Sequence, residues 1–406
     1  MSALDDRSSQ RSTNRSRVVH ALRRHGAMSR SELSGIGLSR STVASVVGEL
    51  VDTGTVVEVD GPKSARGTGR PPLLVGLNGS LGATVGVEIA NGVVRVAVCN
   101  VAQELLAHNS MTVDDDTTPE ATLEIVSAVV DQLLASAGFR RDQVIGVGMA
   151  MPGPIQSRSG LNGRACTLKT WVSVNPRTLA LDVLRLPVLA GNDANLAALA
   201  EMTWGVARGV QDFAYVYTAN GIGAGFVING GLYVGANGTA GEIGHTTIDE
   251  HGLVCACGGR GCLNTLANAD AITQKLGQSH RGGLSIAEVI TLAHGGDAGC
   301  RRVLADAGRH IGVAMANMYN LLDPELIVLG GNLAAAGAIL IDPLRESMIR
   351  RAIHAGEAIP PVVAGALDQG VVVVVGAAAA VLRDSVNFPL PRLESRQFLQ
   401  RSHRTG

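Results

Sequence analysis

The chain has few aromatic residues, with 2 Trp, 4 Tyr and 5 Phe among 406 positions. Valine, leucine and alanine must therefore fill the hydrophobic cores, and a chain of this length can form two or three domains. No apolar run approaches the roughly 20 residues of a membrane-spanning helix, and the polar N-terminus has no signal-peptide core. These absences predict a soluble, cytoplasmic protein with no membrane partner.

Cysteine is also scarce, with 6 residues in the chain. Three of them, Cys99, Cys166 and Cys300, lie singly. Isolated cysteines argue against a disulfide framework and are typical of a reducing compartment.

The other three cysteines form a cluster, because Cys255, Cys257 and Cys262 follow closely after His245. One imidazole and three thiolates are the ligand set of a closed tetrahedral zinc site. The alternative is a group of buried free cysteines that act as small apolar residues. Their close spacing beside a histidine favours metal, so we predict that these four residues bind Zn²⁺.

The chain also lacks a strong net charge, with 34 Lys and Arg against 35 Asp and Glu. The balance is uneven along the sequence, because residues 1–78 contain eleven basic and seven acidic residues. A basic end on a nearly neutral body indicates an anionic partner for that end alone.

The first 78 residues have the pattern of a small helical domain with a hairpin. Residues 1–13 are polar and are predicted to be disordered, and the domain is expected over residues 14–78. Ser29 and Glu32 form a capping box for a short second helix, and Ser39 can cap a third. A strand, a basic loop and a return strand follow, which together predict a winged helix-turn-helix.

In such a domain the third helix fits the major groove of double-stranded DNA. The predicted DNA contacts are Arg30, Ser39, Arg40, Ser41, Thr42 and Ser45 near the helices, with Lys63, Arg66 and Arg70 on the wing. Arg40 is the best candidate to read guanine, and the wing arginines can meet phosphates. The alternative is a three-helix packing or dimerisation module, and the basic wing favours DNA.

From residue 79 the pattern becomes one of strands alternating with helices, which predicts α/β architecture. Apolar runs predict strands at 83–89, 93–98, 144–149, 187–190, 213–217, 225–228, 326–329 and 371–375. Ligands of such sheets bind beyond the carboxyl ends of the strands, where Asp193 and two glycine-rich turns lie.

This part of the sequence resembles the ROK family of sugar kinases and repressors. The resemblance rests on Gly241-Glu-Ile-Gly-His245 with Cys255-x-Cys257 and Cys262, and on Gly191-Asn-Asp193-Ala-Asn195. It implies an actin-like, two-lobed fold, with lobe 1 at 79–192 completed by about 371–386 and lobe 2 at 193–370. It also implies zinc binding by the cluster and sugar contacts from Asn192, Asp193, Glu242, His245 and Asn264. The tail at 387–406 is polar and rich in arginine, and it is predicted to be flexible.

Asp193 would be the catalytic base in the kinases of that family, whereas a helix N-cap is the alternative role for this residue. Kinases also need phosphate-binding turns, and here Glu88-Ile-Ala-Asn-Gly92 and Ala219-Asn-Gly-Ile-Gly223 depart from the family pattern. Asn264 stands where the family has a glutamate that grips the sugar. Trp171 can stack on a sugar or fill a core, and the sequence does not separate these roles.

The sequence therefore predicts a DNA-binding regulator, most plainly a repressor, whose body senses a sugar and has lost kinase activity, so that Asp193 is a vestigial base. A DNA-binding dimer or tetramer is expected, because two half-sites need two recognition helices. The alternatives are an ATP-dependent sugar kinase with an accessory DNA domain and a regulator with a dead sugar pocket.

Overall fold

The computed structural model describes residues 3–61, 73–156, 159–163, 166–277, 280, 283–353, 359–384 and 386–390. The predicted wing residues Lys63, Arg66 and Arg70 lie outside these ranges, as does the tail from residue 391. Within the described ranges, the helices are too short or too polar to cross a lipid bilayer.

The N-terminal part contains three helices and a three-stranded antiparallel sheet of order β1–β3–β2. Its elements are α1 (Ala3–His25), β1 (Met28–Ser29), α2 (Arg30–Ser34), α3 (Arg40–Asp52), β2 (Val56–Asp60) and β3 (Leu73–Leu77). The predicted capping box is confirmed, because Glu32 N donates to Ser29 Oγ and Ser29 N donates to Glu32 Oε2, at 3.2 and 2.7 Å. Ser39 Oγ caps α3 by accepting from Thr42 N at 3.1 Å.

The prediction that residues 1–13 are disordered is wrong for the backbone from Ala3 onward, because α1 begins there. The helix has a firm anchor further along, where Val18 and Leu22 are buried against α3. Adding a residue to an existing helix costs far less than starting one, and the segment before Val18 contains neither proline nor glycine. The packed turns of α1 can therefore extend the helix back through a polar sequence.

Lobe 1 is a five-stranded mixed sheet of order β6–β5–β4–β7–β8, in which β4–β7 and β7–β8 pair in parallel. Helices α4 and α5 contact the sheet on the side opposite to lobe 2, over a core that includes Trp171. The elements are β4 (Ala83–Ala90), β5 (Val93–Asn100), β6 (Leu105–Thr112), α4 (Pro119–Ser136), β7 (Val144–Met151), α5 (Pro176–Leu184) and β8 (Val188–Asn192).

Lobe 2 is a second five-stranded sheet, of order β11–β10–β9–β12–β13. Its core lies between the sheet and a helical layer that is dominated by the pair α10 and α11. The elements are α6 (Asp193–Trp204), β9 (Phe213–Thr218), β10 (Ile222–Ile228), β11 (Gly231–Tyr233), α7 (Asn264–Ala267), α8 (Ala269–Lys275), α9 (Ile286–His294), α10 (Ala298–Leu322), β12 (Leu326–Gly330), α11 (Ala338–Ile349), β13 (Val362–Ala364) and α12 (Val372–Arg383).

Helices α6 and α12 lie between the two sheets and share one core with both. The strand predicted at 371–375 is wrong, because these valines open α12. A run of β-branched residues favours a strand by propensity, but a helix that is apolar all round is stable when it is buried all round. Here Val372 to Leu382 are all buried.

The predicted flexible tail also begins too early. Phe388 is only 3 % exposed and packs into the core that α1 and α3 share with the end of α12. Its carbonyl oxygen accepts a hydrogen bond from Arg23 Nη2 at 2.7 Å. Burial of the Phe388 ring in an apolar core stabilises this segment in place, although the residues around it are polar.

Candidate functional site

A cavity of about 120 Å³ lies where the ends of β4, β7 and β8 face the turn between β9 and β10. Its lining brings together all five residues that the sequence suggested as ligand contacts: Asn192, Asp193, Glu242, His245 and Asn264. The cavity thus sits beyond strand ends, as expected for α/β sheets.

Asp193 is not the N-cap of the helix that follows β8. That role belongs to Asn192, whose Oδ1 accepts from Asn195 N at 3.2 Å while its Nδ2 donates to Gly153 O at 3.2 Å. Asp193 is the first residue of α6, and its Oδ1 accepts from Ala194 N at 2.8 Å. Asn192 is therefore the N-cap of α6, and Asp193 lines the cavity.

The cavity gathers three carboxyl groups, and their environment favours the neutral form. Burial raises the pKa of Asp193 to about 8, and repulsion from Glu88 and Glu242 adds to the rise. Burial likewise raises the pKa of Glu242 to about 7. Burial raises the pKa of Glu88 as well, against the opposing attraction of Arg95. A neutral carboxyl can donate as well as accept, which suits a polyhydroxylated ligand.

Asn264 lines the cavity, but its amide also has a structural partner. Its Oδ1 accepts a hydrogen bond from Ile222 N at 2.8 Å, at the start of β10. This bond ties α7 to the turn between β9 and β10. The amide nitrogen is the part of Asn264 that remains for a ligand, whereas a glutamate at this position would offer acceptors alone.

The metal-type cluster adjoins the same cavity through His245. The ligand atoms of His245, Cys255, Cys257 and Cys262 all lie within 4.8 Å of one another, a group that could hold a metal ion. Cys255 Sγ is 3.6 Å from His245 Nδ1, and Cys257 Sγ is 3.7 Å from Cys262 Sγ. Because His245 belongs to both the cluster and the cavity lining, the two sites are contiguous.

The turns that would bind nucleotide phosphates are engaged in contacts within the protein. Glu88 Oε2 accepts from Arg95 Nη1 at 2.7 Å, and Gly92 N donates to Asp115 Oδ1 at 2.6 Å. In the second of these turns, Ala219 N donates to Gly221 O at 2.9 Å. A backbone amide with a partner inside the protein is not open to a phosphate oxygen.

Sequence reasoning missed Arg95, although a signal for it existed. The predicted hairpin places Glu88 and Arg95 directly opposite each other, and the strand register has that pair. Opposite charges on a cross-strand pair attract. Thr167 was missed without any such signal, because it reaches the cavity from a loop, where its Oγ1 donates to Asn91 Oδ1 at 2.6 Å. Trp171 is 1 % exposed and fills the lobe 1 core, so it does not stack on a ligand.

The candidate DNA contacts lie on two elements. Arg40, Ser41 and Ser45 are exposed on α3, and Ser39 Oγ lies 2.9 and 2.8 Å from Ser41 Oγ and Thr42 Oγ1. Arg30 begins α2, and its guanidinium pairs with Glu58 of β2 at 2.6 Å. The start of α3 is thus a small polar surface with one cationic residue, Arg40.

Two five-stranded lobes, with carboxyl groups in the cleft and helices between the sheets, define the actin-like class of fold. The family described as "ROK family" matches residues 84–384. The chain belongs to the ROK family.

Relatives include repressors and kinases. The chain is 29 % identical over 378 residues to the xylose repressor of Caldicellulosiruptor bescii, covering 89 % of this chain and 93 % of the repressor. It is 30 % identical over 277 residues to a glucokinase of Halalkalibacterium halodurans, covering 64 % of this chain and 84 % of the glucokinase. The crystal structure of a ROK family transcriptional regulator, a homologue of the E. coli MLC protein, shares the fold with a TM-score of 0.73 and 23 % identity over 92 % of this chain and 97 % of that one.

Proposed function

We propose that the protein is a sequence-specific DNA-binding transcriptional regulator, a repressor of carbohydrate-related genes, whose two-lobed body senses a sugar or sugar derivative. The observation that carries this proposal is the extent of the repressor match. Residues 79–406 are 328 of 406 positions, about 81 % of the chain, so a match to 89 % must include part of the N-terminal domain. The glucokinase match of 64 % is short enough to fall within the body alone.

The N-terminal elements support a winged helix-turn-helix, with α3 as the recognition helix. The polar start of α3 is exposed, and its opposite face, including Val43 and Val47, is buried. Such a helix can enter the major groove and present Ser39, Arg40, Ser41, Thr42 and Ser45 to base edges, with Arg30 and the wing residues Lys63, Arg66 and Arg70 near the phosphates. Two half-sites require at least a homodimer, and a tetramer satisfies the same geometry. The protein would act in the cytoplasm, on nucleoid DNA.

The body would bind the sugar without phosphorylating it. Asn192, Asp193, Glu242 and the Asn264 amide offer donors and acceptors that match vicinal hydroxyl groups. Phosphoryl transfer depends on positioning and on charge stabilisation around the phosphates. The internal partners of Glu88, Gly92 and Ala219 argue against that positioning.

The cluster of His245, Cys255, Cys257 and Cys262 would bind Zn²⁺. Zn–S bonds of about 2.3 Å at tetrahedral angles place two sulfurs roughly 3.8 Å apart, and Cys257 and Cys262 have a separation of 3.7 Å. The ion would join the loop that contains Glu242 to the start of α7, and so would fix two walls of the sugar cavity.

Genomic footprinting of the protein gives the operator, and fluorescence anisotropy with that operator tests the proposal. We expect nanomolar-range binding that one sugar of a hexose, pentose and amino-sugar panel weakens or strengthens at least about tenfold. The Arg40→Gln protein should lose operator affinity, whereas Arg185→Gln on the body should keep it. Robust turnover in a coupled kinase assay over the same panel would contradict the proposal and favour the kinase alternative. An unchanged melting temperature with every sugar would favour a regulator with a dead pocket.

A further inference from the structure

A second, larger cavity lies at the junction between the N-terminal domain and the body. It encloses about 600 Å³ and is lined by α1, the start of α6, strands β8 and β11, and the end of α12. This volume lies within the range of roughly 300–1,000 Å³ that small-molecule sites occupy. It shares only Asn192 with the lining of the sugar cavity, so it is a separate space.

One end of this junction cavity is cationic. Arg24 of α1 and Arg383 of α12 lie next to each other and form this arginine end, and Arg177 of α5 also lines the cavity. Among the described residues, none of these three guanidinium groups has a carboxylate within ion-pair distance. Their hydrogen bonds go to neutral groups: Arg24 Nη2 donates to Gly230 O, and Arg383 Nη2 donates to Arg24 O at 3.0 Å.

The positive charges at this end are close enough to oppose one another. Burial, together with the nearby Arg24, lowers the pKa of Arg383 to about 10. Among the described residues, Asp384 is the only acidic residue in the lining. Its two carboxylate oxygens already accept from Asn387 N and Nδ2, at 3.0 and 2.7 Å. The cavity lining therefore has a net positive charge, with three arginines against one aspartate, and this charge would attract an anion.

A second part of the cavity lining is apolar. Leu189 of β8, Leu196 and Leu199 of α6 and Leu232 of β11 line it. Leu196 and Leu199 also belong to the core between the two sheets, so this wall is fixed by packing. A cationic end and a rigid apolar wall together match an amphipathic ligand.

We propose that the junction cavity binds a small organic anion that places its apolar body against these leucines and its carboxylate or phosphate group against Arg24, Arg177 and Arg383. The protein's own tail is not a suitable occupant, because residues 391–406 contain four arginines and one glutamate. A basic peptide would be repelled by the arginine end.

Isothermal titration calorimetry of the full-length protein without DNA tests this site with four probes: phenylacetate, phenyl phosphate, benzyl alcohol and inorganic phosphate. We expect saturable binding of at least one aromatic anion, and at least about tenfold weaker binding of the neutral alcohol and of inorganic phosphate. The stronger of the two aromatic anions identifies the head group. Absence of saturable heat with both aromatic anions, or equal binding of benzyl alcohol, overturns the proposal.

Three variants locate the site. Arg383→Gln and Arg177→Gln should each weaken the binding of the aromatic anion by about tenfold or more, because each removes a charged hydrogen bond. Leu232→Trp should weaken it by filling the apolar end. Arg185→Gln is the matched control, because Arg185 is an exposed arginine close to α5 that does not line the cavity. Arg177 is itself exposed, so its variant keeps the fold even where Arg383→Gln does not. Unchanged affinity in both Arg177→Gln and Leu232→Trp overturns the proposal.

The outcome is independent of the proposed sugar sensing. Asp193→Asn changes the sugar cavity and leaves the arginine end untouched, so this variant should bind the aromatic anion as the parent protein does. Anion binding without any sugar response would support the junction site and contradict the proposed sugar sensing. A sugar response without anion binding would support the sugar sensing and contradict the junction site.

Discussion

At the scale of single residues, the carboxyl group of Asp193 lies in an environment that opposes its ordinary negative charge. It begins α6 at the edge of the sugar cavity, and Glu88 and Glu242 both repel its negative form. Between about pH 4 and pH 8, the carboxyl group is therefore protonated in the folded protein and ionised in the unfolded chain. The stability of the fold should reflect this difference.

We predict that Asp193→Asn stabilises the protein, and that the gain grows with pH. The folded pKa of about 8 lies above the unfolded value near 4, so the stabilising contribution of protonated Asp193 is complete below about pH 4 and is lost as the pH rises towards 8. Asparagine has no such loss and can accept the bond from Ala194 N. The difference in the free energy of unfolding should increase by up to about 1.4 kcal/mol per pH unit between pH 5 and 8.

Urea denaturation across that pH range measures the effect. Asp182→Asn, at an exposed carboxyl group on α5, is the control, and its difference from the parent should stay constant. A constant difference for Asp193→Asn would show that its carboxyl group is not desolvated in solution.

The cysteine cluster gives a second prediction at this scale. Cys262→Ser should reduce the zinc content per chain to near zero and lower the melting temperature, because a closed site with three remaining ligands binds zinc far more weakly. Cys166→Ser is the control: Cys166 is buried in lobe 1, and a serine there can still accept from Asn162 Nδ2, which lies 3.1 Å from Cys166 Sγ. Elemental analysis of both purified proteins decides, and full zinc content in Cys262→Ser would contradict the assignment.

Residue types and spacing predicted much of this site, and the geometry explains what they did not. The residues of the His–Cys cluster follow one another closely in sequence, so their spacing alone predicted that they would converge. The exchange of roles between Asn192 and Asp193 was not, because both residues are good N-caps and the helix start decides between them. The internal bond of Asn264 depends on Ile222, which is distant in sequence.

At the scale of elements, the packing of α12 between the sheets depends on glycines that permit close approach. A Cβ on Gly376 of α12 would lie 1.9 Å from Leu196 O of α6, and one on Gly86 of β4 would lie 1.8 Å from Val374 O of α12. Such distances are shorter than any van der Waals contact, so these backbones meet only where side chains are absent.

We therefore predict that Gly376→Ala destabilises the protein by more than about 2 kcal/mol, because α6 and α12 must move apart. Gly48→Ala is the matched control, since Gly48 lies in α3 with open space around its Cα. That change should stabilise the N-terminal domain by about 0.5–1 kcal/mol through helix propensity. Thermal and urea denaturation measure both, and similar effects of the two changes would contradict the role of close packing.

The elements show where local sequence is informative. Helices α2 and α3 were predictable because their caps are local signals, and the alternating strands of lobe 1 were predictable from their apolar runs. The valines of α12 led to a wrong strand prediction, because burial on all sides stabilises the helix by more than the strand propensity of valine opposes it. The length of α1 could not be predicted either, since tertiary packing supports its later turns.

At the scale of the whole molecule, a buried arginine joins the N-terminal domain to the body beside the apolar core that the two share. Arg23 of α1 donates from Nε to Leu382 O at 2.6 Å and from Nη2 to Phe388 O at 2.7 Å. In return, Gln103 Nε2 donates to Arg23 O at 2.7 Å. The end of α12 is thus satisfied by a side chain from a different domain, as helix C-termini require.

We predict that Arg23→Gln loosens this docking without unfolding either part. The shorter side chain leaves carbonyl groups at the end of α12 unsatisfied, at a cost of about 1–3 kcal/mol. Limited proteolysis should then release the N-terminal domain faster, while the zinc content stays at the parental value. Arg15→Gln, earlier on the same helix, is the control and should be cleaved at the parental rate. Equal cleavage of the two variants would show that Arg23 does not hold the domains together.

Asn192 lines both the sugar cavity and the junction cavity, and this shared wall has a thermodynamic consequence. If an anion at the arginine end tightens sugar binding by some factor, the sugar must tighten anion binding by the same factor. The sugar and the anion, two chemically different ligands, would then act together on DNA binding through cavities that share Asn192. The chain would then respond to both concentrations, and titrating each ligand in the presence of the other would measure the coupling factor.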